Sequence, residues 1–324
     1  MKSILRKLLV TATVTVICFT PLASSAQGQY PNKPIRIILG VAAGGLIDVS
    51  ARLIAAQLSP RLGQPVIIDN RPGAATTIAA NAVLKADPDG YTFFYGGAMS
   101  ASPIFVKNGA VDFVTQMKPV SQTLSAPFYL LLSTKVPATT IHDLVAYSKK
   151  NPGKLNQADI SPASTMVLHA IAERSGLDFT PIPYKGSAPA LTALISGEVE
   201  IVLDTVPNYV QHIKTGKVRA IMNTGRSRMS QLPDVPTGIE TKLIEFSTGS
   251  MFGLWAPPGT PDAVVKRVSD EIAALSKDPI FIAKFHEATQ VDPIGSTPTE
   301  LLKVVEADKA LYERVAKRIG HQPQ

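Results

Sequence analysis

The chain has 324 residues, of which 45% are hydrophobic, and its formal net charge at pH 7 is +7. This length and composition allow one large globular domain or two ordinary ones. The mild positive charge slightly favours anionic partners. Nucleic acid is not predicted as a partner, because no basic stripe with interleaved aromatic residues is present.

Residues 1–26 have the pattern of a secretory signal peptide. The basic head MKSILRK is followed by the apolar run LLVTATVTVICF and then by small residues, with the best cleavage position after Ala26. The run is shorter than the roughly 20 apolar residues of a membrane span, which argues against the alternative of a membrane anchor. A lipoprotein is not indicated, because the residues before Cys18 lack the small side chain that a lipobox requires.

Cleavage after Ala26 removes three basic residues, so the formal charge falls from +7 to +4, and it also removes Cys18, the only cysteine. The mature protein therefore has no thiol, disulfide or cysteine-ligated metal. Export without cysteines predicts a periplasmic protein with a core large enough to fold without disulfides.

After this segment, apolar runs typical of strands alternate with helical patterns. Strands are predicted at 35–39, 66–69, 91–95, 128–133, 199–204 and 218–224. Helices are predicted over 46–58, within 140–153, from about 164 to 176, and within 183–197. A further, alanine-rich helix is predicted to follow residues 70–77 and to end at Leu84. The alternation predicts an α/β fold with largely parallel sheets.

The C-terminal third contains two helix starts. Thr260 is predicted as an N-cap residue with Pro261 at the first helical position. Thr297 and Glu300 have the spacing of a capping box, and Gly320 is placed to end that helix.

The stretch GVAAGGLIDVSARLIAAQL, residues 40–58, invites comparison with a phosphate-binding loop. Gly40 and Gly45 have the glycine spacing of a P-loop, but Leu46 and Ile47 stand where lysine and a hydroxyl residue are required. The dinucleotide pattern G-x-G-x-x-G is also absent. The stretch therefore predicts no nucleotide chemistry.

Other catalytic patterns are missing as well. No serine lies in G-x-S-x-G, and the five histidines are scattered outside any H-E-x-x-H pattern. Asp48, Asp159 and Asp204 could in principle form a carboxylate pair, but nothing in the sequence places them together. With no combination of nucleophile, base and oxyanion donor, we predict a protein that is not an enzyme and has no cofactor and no metal.

Four loops rich in glycine or serine each lead into a predicted helix, at residues 40–47, 70–77, 161–164 and 185–188. Helix N-termini bind anions, because they present unpaired N–H groups and a partial positive charge. In parallel α/β sheets such loops lie at the carboxyl ends of the strands, where ligands bind. Together with export, they favour a two-domain solute-binding protein.

Several long motifs carry a family resemblance. They are YPNKPIRIIL (30–39), AGGLIDVSARLIAAQLSPRLGQPVIIDNRPGA (43–74), KADPDGYT (85–92), NPGKLN (151–156), PYKGSAPAL (183–191), LPDVPT (232–237) and GLWAPPGTP (253–261). Over residues 30–320 the chain resembles the extracytoplasmic solute receptors of tripartite tricarboxylate transporters, the TctC or Bug (Bordetella uptake) family.

The resemblance implies a type II-like periplasmic binding protein, with two α/β domains around a ligand cleft and joined by crossing strands. Domain I would combine 27–128 with 250–324, and domain II would be 129–249. Family ligands are mostly carboxylates, held by main-chain amides and hydroxyls. The site residues implied here are Ala43, Gly44, Gly45, Asp48, Gly73, Ala74, Ala75, Ser161, Ser164, Tyr184, Gly186, Ser187, Ala188 and Asp204. Met99, Ser100 and Phe128 are further expected lining.

The chain departs from the family pattern in three loops. Ala43 and Val41 stand where relatives carry a proline and a bulky aromatic residue, and Ala74-Ala75-Thr76 replaces a common Ala-Gly-Gly. Pro162 replaces the glycine of a common Ser-Gly and removes an N–H donor. We therefore expect an altered pocket shape.

These observations predict a monomeric periplasmic receptor that captures a small carboxylate and delivers it to the membrane permease subunits of the transporter. An aliphatic diacid and an aromatic carboxylate both remain open as ligands. A receptor that signals to a membrane sensor kinase is the alternative, to be distinguished by the neighbouring genes, and an exported hydrolase is a third.

Overall fold

The computed structural model describes residues 30–184, 186–229, 231–244 and 248–323. The predicted signal peptide, residues 1–26, lies outside the described residues, and so does Cys18. Residues 31–324 form one compact unit. None of the helices in the described ranges has the length and apolar character needed to cross a bilayer.

Nine strands, counted within the described ranges, form one mixed sheet. They are β1 (Ile35–Leu39), β2 (Val66–Asn70), β3 (Thr92–Gly96), β4 (Lys118–Ser133), β5 (Asn156–Asp159), β6 (Thr180–Pro183), β7 (Ile201–Thr205), β8 (Val218–Asn223) and β9 (Gly249–Ala256).

The helices flank this sheet. They are α1 (Leu46–Leu62), α2 (Thr77–Leu84), α3 (Phe113–Gln116), α4 (Ile141–Lys150), α5 (Pro162–Ser175), α6 (Ser187–Ser196), α7 (Val210–Lys214), α8 (Asp262–Leu275), α9 (Pro279–Thr289) and α10 (Pro298–Ile319). Short 3-10 turns cover Ala74–Thr76 and Ala98–Ala101.

The strand order is β2-β1-β3-β9-β4-β7-β5-β6, with β8 paired to β4. Strands β1, β2 and β3 are parallel, and so are β5, β6 and β7. The predicted largely parallel arrangement is therefore right for the two outer parts and wrong for the middle. There β4 and β9 run antiparallel to each other, and both pair antiparallel with their other neighbours.

The long strand β4 explains the mixed sheet. Its first part pairs with β9, and its second part, from Phe128 onward, pairs with β7 and β8. One strand of 16 residues thus joins two parallel α/β halves. Strand β9 returns beside the first part of β4 in the antiparallel direction, which places the C-terminal segment back on the first half.

The C-terminal helix α10 packs against both halves. Val305 belongs to a buried apolar cluster that includes Phe94 and Trp255. One to two turns later, Tyr312 belongs to a second cluster that includes Phe128. The segment of α10 between Val305 and Tyr312 therefore lies where the two halves meet.

The structure confirms some predicted helix ends and corrects another. Thr297 and Glu300 form the predicted capping box, and Gly320 ends α10 in a left-handed conformation. Thr260 does not cap α8: Pro261 is the N-cap residue, while the Thr260 hydroxyl donates to the Pro257 carbonyl at 2.9 Å. The helix therefore starts one residue later than predicted, without a side-chain cap.

Several elements are absent from the prediction. These are β5, β6, β9, α3, α7, α9 and the first part of β4. The domain boundaries near 128 and 249 stay a prediction.

Candidate ligand-binding site

The loops singled out by the sequence follow the carboxyl ends of parallel strands. The loop starting at Gly40 follows β1, the loop starting at Arg71 follows β2, and Ser161 lies two residues after β5. The loop containing Gly186 follows β6. The outer parts of the sheet thus have the geometry in which α/β proteins bind ligands.

In the first loop, Asp48 is fully engaged by the protein. Its carboxylate accepts the Gly44 N–H at 2.9 Å, the Arg52 Nε–H at 3.0 Å and the Asn70 amide at 3.0 Å. Donation from Arg52 is the main reason that the pKa of Asp48 is lowered to about 2, against the opposing effect of burial. Asp48 therefore braces the loop, and its direct contact with a ligand stays a prediction.

The glycines of this loop leave open space. A β-carbon on Gly44 or Gly45 would meet no atom within 4 Å, and Ala43 is exposed. A ligand can therefore approach the backbone here without a side chain in the way. None of these three residues lines the cavity described below.

The second loop holds three consecutive non-glycine residues in the left-handed region. Ala74, Ala75 and Thr76 have φ values of 45°, 48° and 69°. Each such residue costs about 1–2 kcal/mol. The glycines expected from the family resemblance would adopt this backbone freely, whereas this chain keeps the conformation with side chains. Gly73, at φ 128°, leads into the same turn.

The third loop starts α5. Ser161 is the N-cap residue and accepts the Ser164 N–H at 3.2 Å, and the two hydroxyls lie 2.9 Å apart. Ser164 is fully buried, so the predicted pair consists of one accessible and one internal hydroxyl. Pro162 occupies the first helical position, where its ring suits the backbone but supplies no N–H.

The fourth loop lies over a buried carboxyl group. Gly186 caps α6 with φ 97°, and Ser187 begins the helix, with Ala188 exposed beside it. Asp204 is 6% exposed, and burial raises its pKa, while Ser187 is among the groups that lower it. Tyr184 turns away, because its hydroxyl donates to Glu198 at 3.0 Å.

Two buried tyrosines share the surroundings of Asp204. Tyr129 is its register partner on β4, and Tyr209 lies close enough for the carboxylate to raise the pKa of the phenol further, beyond the main effect of burial. Neither phenol has a hydrogen-bond partner within the described ranges, and nor does Oδ2 of Asp204. Ser187 and Asp204 thus form a polar group separate from the cavity.

A cavity of about 570 Å³ opens where the two halves of the sheet meet. Its described lining consists of Ala74, Ala75, Gly97, Met99, Ser100, Phe105, Val106, Asn108, Phe128, Ser161, Pro162, Ala163, Gly249, Ser250, Met251, Phe252, Asp308 and Tyr312. Three of the implied site residues line it, Ala74, Ala75 and Ser161, as do the further expected Met99, Ser100 and Phe128. The other implied residues lie outside this lining.

The sequence prediction missed the parts of the cavity that come from β9 and α10. Asp308 is the most informative of these residues, since it lies on the buried stripe of α10 with Val305 and Tyr312. An acidic residue at helical spacing among apolar ones was a signal available in the sequence. The Thr248 hydroxyl donates to Asp308 at 3.1 Å, and burial raises the pKa of Asp308 to about 7.

No group of three or more potential metal ligands occurs among the described residues. The cavity instead offers a helix N-terminus, hydroxyls and an apolar wall, an arrangement suited to holding a small organic anion.

Residues 50–321 match the family model described as "Tripartite tricarboxylate transporter family receptor". The chain belongs to this receptor family. The family is one of solute-binding receptors, not of enzymes.

Individual TctC relatives agree with this assignment. The chain is 32% identical over 316 residues to a UPF0065 protein of Bordetella pertussis, with 96% of this chain and 97% of that protein covered. It is similar in structure to Rpa4515 of R. palustris, solved with adipate, at a TM-score of 0.75 and 31% identity, covering 91% of this chain and 100% of that one.

A third TctC-type relative is the periplasmic binding protein BugD, at a TM-score of 0.71 and 31% identity, covering 91% of this chain and 100% of that one. The chain therefore has the two-domain α/β fold of a periplasmic binding protein, as its sequence predicted.

Proposed function

We propose that this protein is a periplasmic receptor that captures a small carboxylate and delivers it to the membrane subunits of a tripartite tricarboxylate-type transporter. The observation that carries the proposal is the cavity formed at the N-terminus of α5 and the Ala74–Ala75 turn. In a receptor family with a relative solved with adipate, this is where a carboxylate would bind.

The donors at the cavity are neutral. Its described lining contains no lysine, arginine or histidine. Pro162 has no N–H and the Ser164 N–H donates to Ser161, so a bound carboxylate would be held by the Ala163 N–H at the start of α5 and by hydroxyls such as those of Ser161 and Ser100. Such a site stabilises an anion through hydrogen bonds and the helix dipole. A receptor that must release its ligand benefits from this moderate binding.

Closure of two domains would complete the site. With domain I as 27–128 plus 250–324 and domain II as 129–249, the cavity takes residues from both, for example Ala75 and Ser161. A hinge motion of this kind would bring the open loop at Gly44 and the Ser187 turn towards the ligand. The remaining implied site residues would then act in the closed form.

The proposal includes export by cleavage after Ala26, action as a monomer, and no catalytic activity.

The test is a thermal-shift screen of refolded, ligand-free protein against aliphatic diacids, aromatic carboxylates, neutral amides and sugars. A specific ligand at about 100 times its Kd adds about 2.7 kcal/mol of apparent stability. We expect at least one carboxylate to do so. Stabilisation by amides or sugars without any carboxylate would overturn the proposal.

A further inference from the structure

Asp308 is the one charged side chain among the described residues that line the cavity. It is 6% exposed, and its Oδ1 accepts a hydrogen bond from Thr248. No described residue donates a hydrogen bond to Oδ2. This carboxyl group therefore lines the cavity with one of its two oxygens free of any donor from the described residues.

Asp48, outside the cavity lining, has a different environment. Asp48 is also buried, but three protein groups donate to its two oxygens. A buried carboxyl without such partners is destabilising, and an apolar residue of similar volume would fit the buried stripe of α10 better. A ligand that donates a hydrogen bond to the free oxygen would offset this cost.

The walls around Asp308 are apolar and partly aromatic. Phe105, Phe128 and Tyr312 line the cavity together with Met99 and Met251. The phenyl ring of Phe105 and the ring of Tyr312 pack edge to face, with centroids 5.5 Å apart. Flat apolar surfaces of this kind are filled better by a ring than by a short polar chain, because each wall atom left without a neighbour loses dispersion energy.

We propose that the cavity selects an aromatic carboxylate that also carries a hydroxyl or amine group, which donates a hydrogen bond to Asp308. This inference rests on the proposed function, since it assumes that the carboxylate binds at the α5 N-terminus. The ring would lie against the aromatic wall, and the donor would use the free oxygen of Asp308. A ligand with a second carboxylate at that end would instead place two acidic groups together, and one of the two would have to take up a proton.

The test measures the binding of ring compounds and of adipate to the mature protein by calorimetry. The ring compounds are benzoate, terephthalate, and the 3- and 4-substituted hydroxy- and aminobenzoates, with benzamide as the neutral control. We expect at least one hydroxy- or aminobenzoate to bind at least tenfold more tightly than benzoate and terephthalate. Equal affinities for benzoate and all of its donor-bearing forms would overturn the inference.

Variants test whether Asp308 causes the preference for donor-bearing ligands. Asp308→Leu should remove the advantage of the donor-bearing ligand while benzoate still binds, and Asp270→Asn, an exposed acid on α8, should leave it unchanged. If Asp308→Leu fails to fold, Thr248→Val offers a milder change beside the same carboxyl group, and the wild-type ligand series stays decisive. An advantage that survives in Asp308→Leu would contradict the assignment.

The outcomes separate the two proposals. Binding of adipate or terephthalate with no response to a ring donor overturns the inference about Asp308 and leaves the proposed function standing. Failure of every carboxylate to bind overturns both.

Discussion

Gly40 lies directly against Thr76. A β-carbon built on Gly40 would stand 2.5 Å from Cβ of Thr76 and 2.8 Å from its Cα. The loop after β1 and the turn after β2 therefore touch through a position that has no room for a side chain. Thr76 belongs to the strained Ala74–Thr76 turn, of which Ala74 and Ala75 line the cavity.

Substitution of Gly40 tests this contact. We expect Gly40→Ala to lower the free energy of unfolding by about 1–3 kcal/mol, because the backbone of Thr76 must move to admit the methyl group. Ligand affinity should fall as well, since the turn moves with it. Gly45→Ala is the comparison, because its β-carbon meets no atom within 4 Å; it should lose at most about 1 kcal/mol, since alanine is a poorer N-cap of α1 than glycine. Equal urea midpoints for the two variants would show that the contact is not tight.

The left-handed turn predicts a stabilising substitution. Ala75→Gly should raise the free energy of unfolding by about 0.5–1 kcal/mol, because relief of the strain at φ 48° exceeds the entropy gained by the unfolded chain. Ala82→Gly, in the interior of α2, should lower it by about 1 kcal/mol. Urea unfolding measures both. A destabilised Ala75→Gly would mean that the methyl group makes contacts that outweigh the strain.

Asp48 should make the free energy of unfolding depend on pH in the acid range. Its pKa is lowered to about 2 in the folded protein, so its stabilisation is present above pH 4 and is lost as the pH falls through about 2. Asp48→Asn should therefore lose about 2 kcal/mol of stability at pH 7 and show a flatter decline in acid. Arg52→Gln should behave similarly, because donation from Arg52 is the main cause of the shift. Parallel curves for wild type and Asp48→Asn would contradict this.

Asp308 should have the opposite pH dependence. Its pKa is raised to about 7, so its favourable contribution is complete below pH 4 and is lost as the pH rises through about 7. Relative to Asp308→Asn, the wild type should lose about 1.4 kcal/mol per pH unit across that window. Denaturant titrations from pH 4 to 8 measure the difference. A difference that does not change with pH would show that Asp308 titrates normally.

Ser187 tests the polar group around Asp204. If its hydroxyl donates to the ligand in the closed form, Ser187→Ala should weaken binding by about 1–3 kcal/mol with little change in unfolding. Thr192→Ala, on an exposed part of the same helix, is a control whose hydroxyl donates only to the Ala188 carbonyl. Calorimetry with the ligand found in the screen makes the comparison, and unchanged affinity would remove Ser187 from the site.

Local patterns were sufficient for much of the fold. The strand at 35–39, the capping box at Thr297 and Glu300, and the stop at Gly320 were all predicted, because each depends on residues close in sequence. Strand β9 was missed because its pairing with β4 joins segments more than 100 residues apart. Thr260 was misassigned by one position: Pro261 is the N-cap residue, and the Thr260 hydroxyl donates to the preceding loop.

The candidate site divides in the same way. The sequence by itself determined the family, the α/β fold and the four loops. Motifs and glycine-containing turns depend on residues that are close together in the chain. Only the tertiary structure decided that Ala75 and Ser161 share a cavity with Phe128, Met251 and Asp308. The cavity wall is formed by segments that are distant in sequence. Asp308 reaches it because α10 crosses the place where the two halves of the sheet meet.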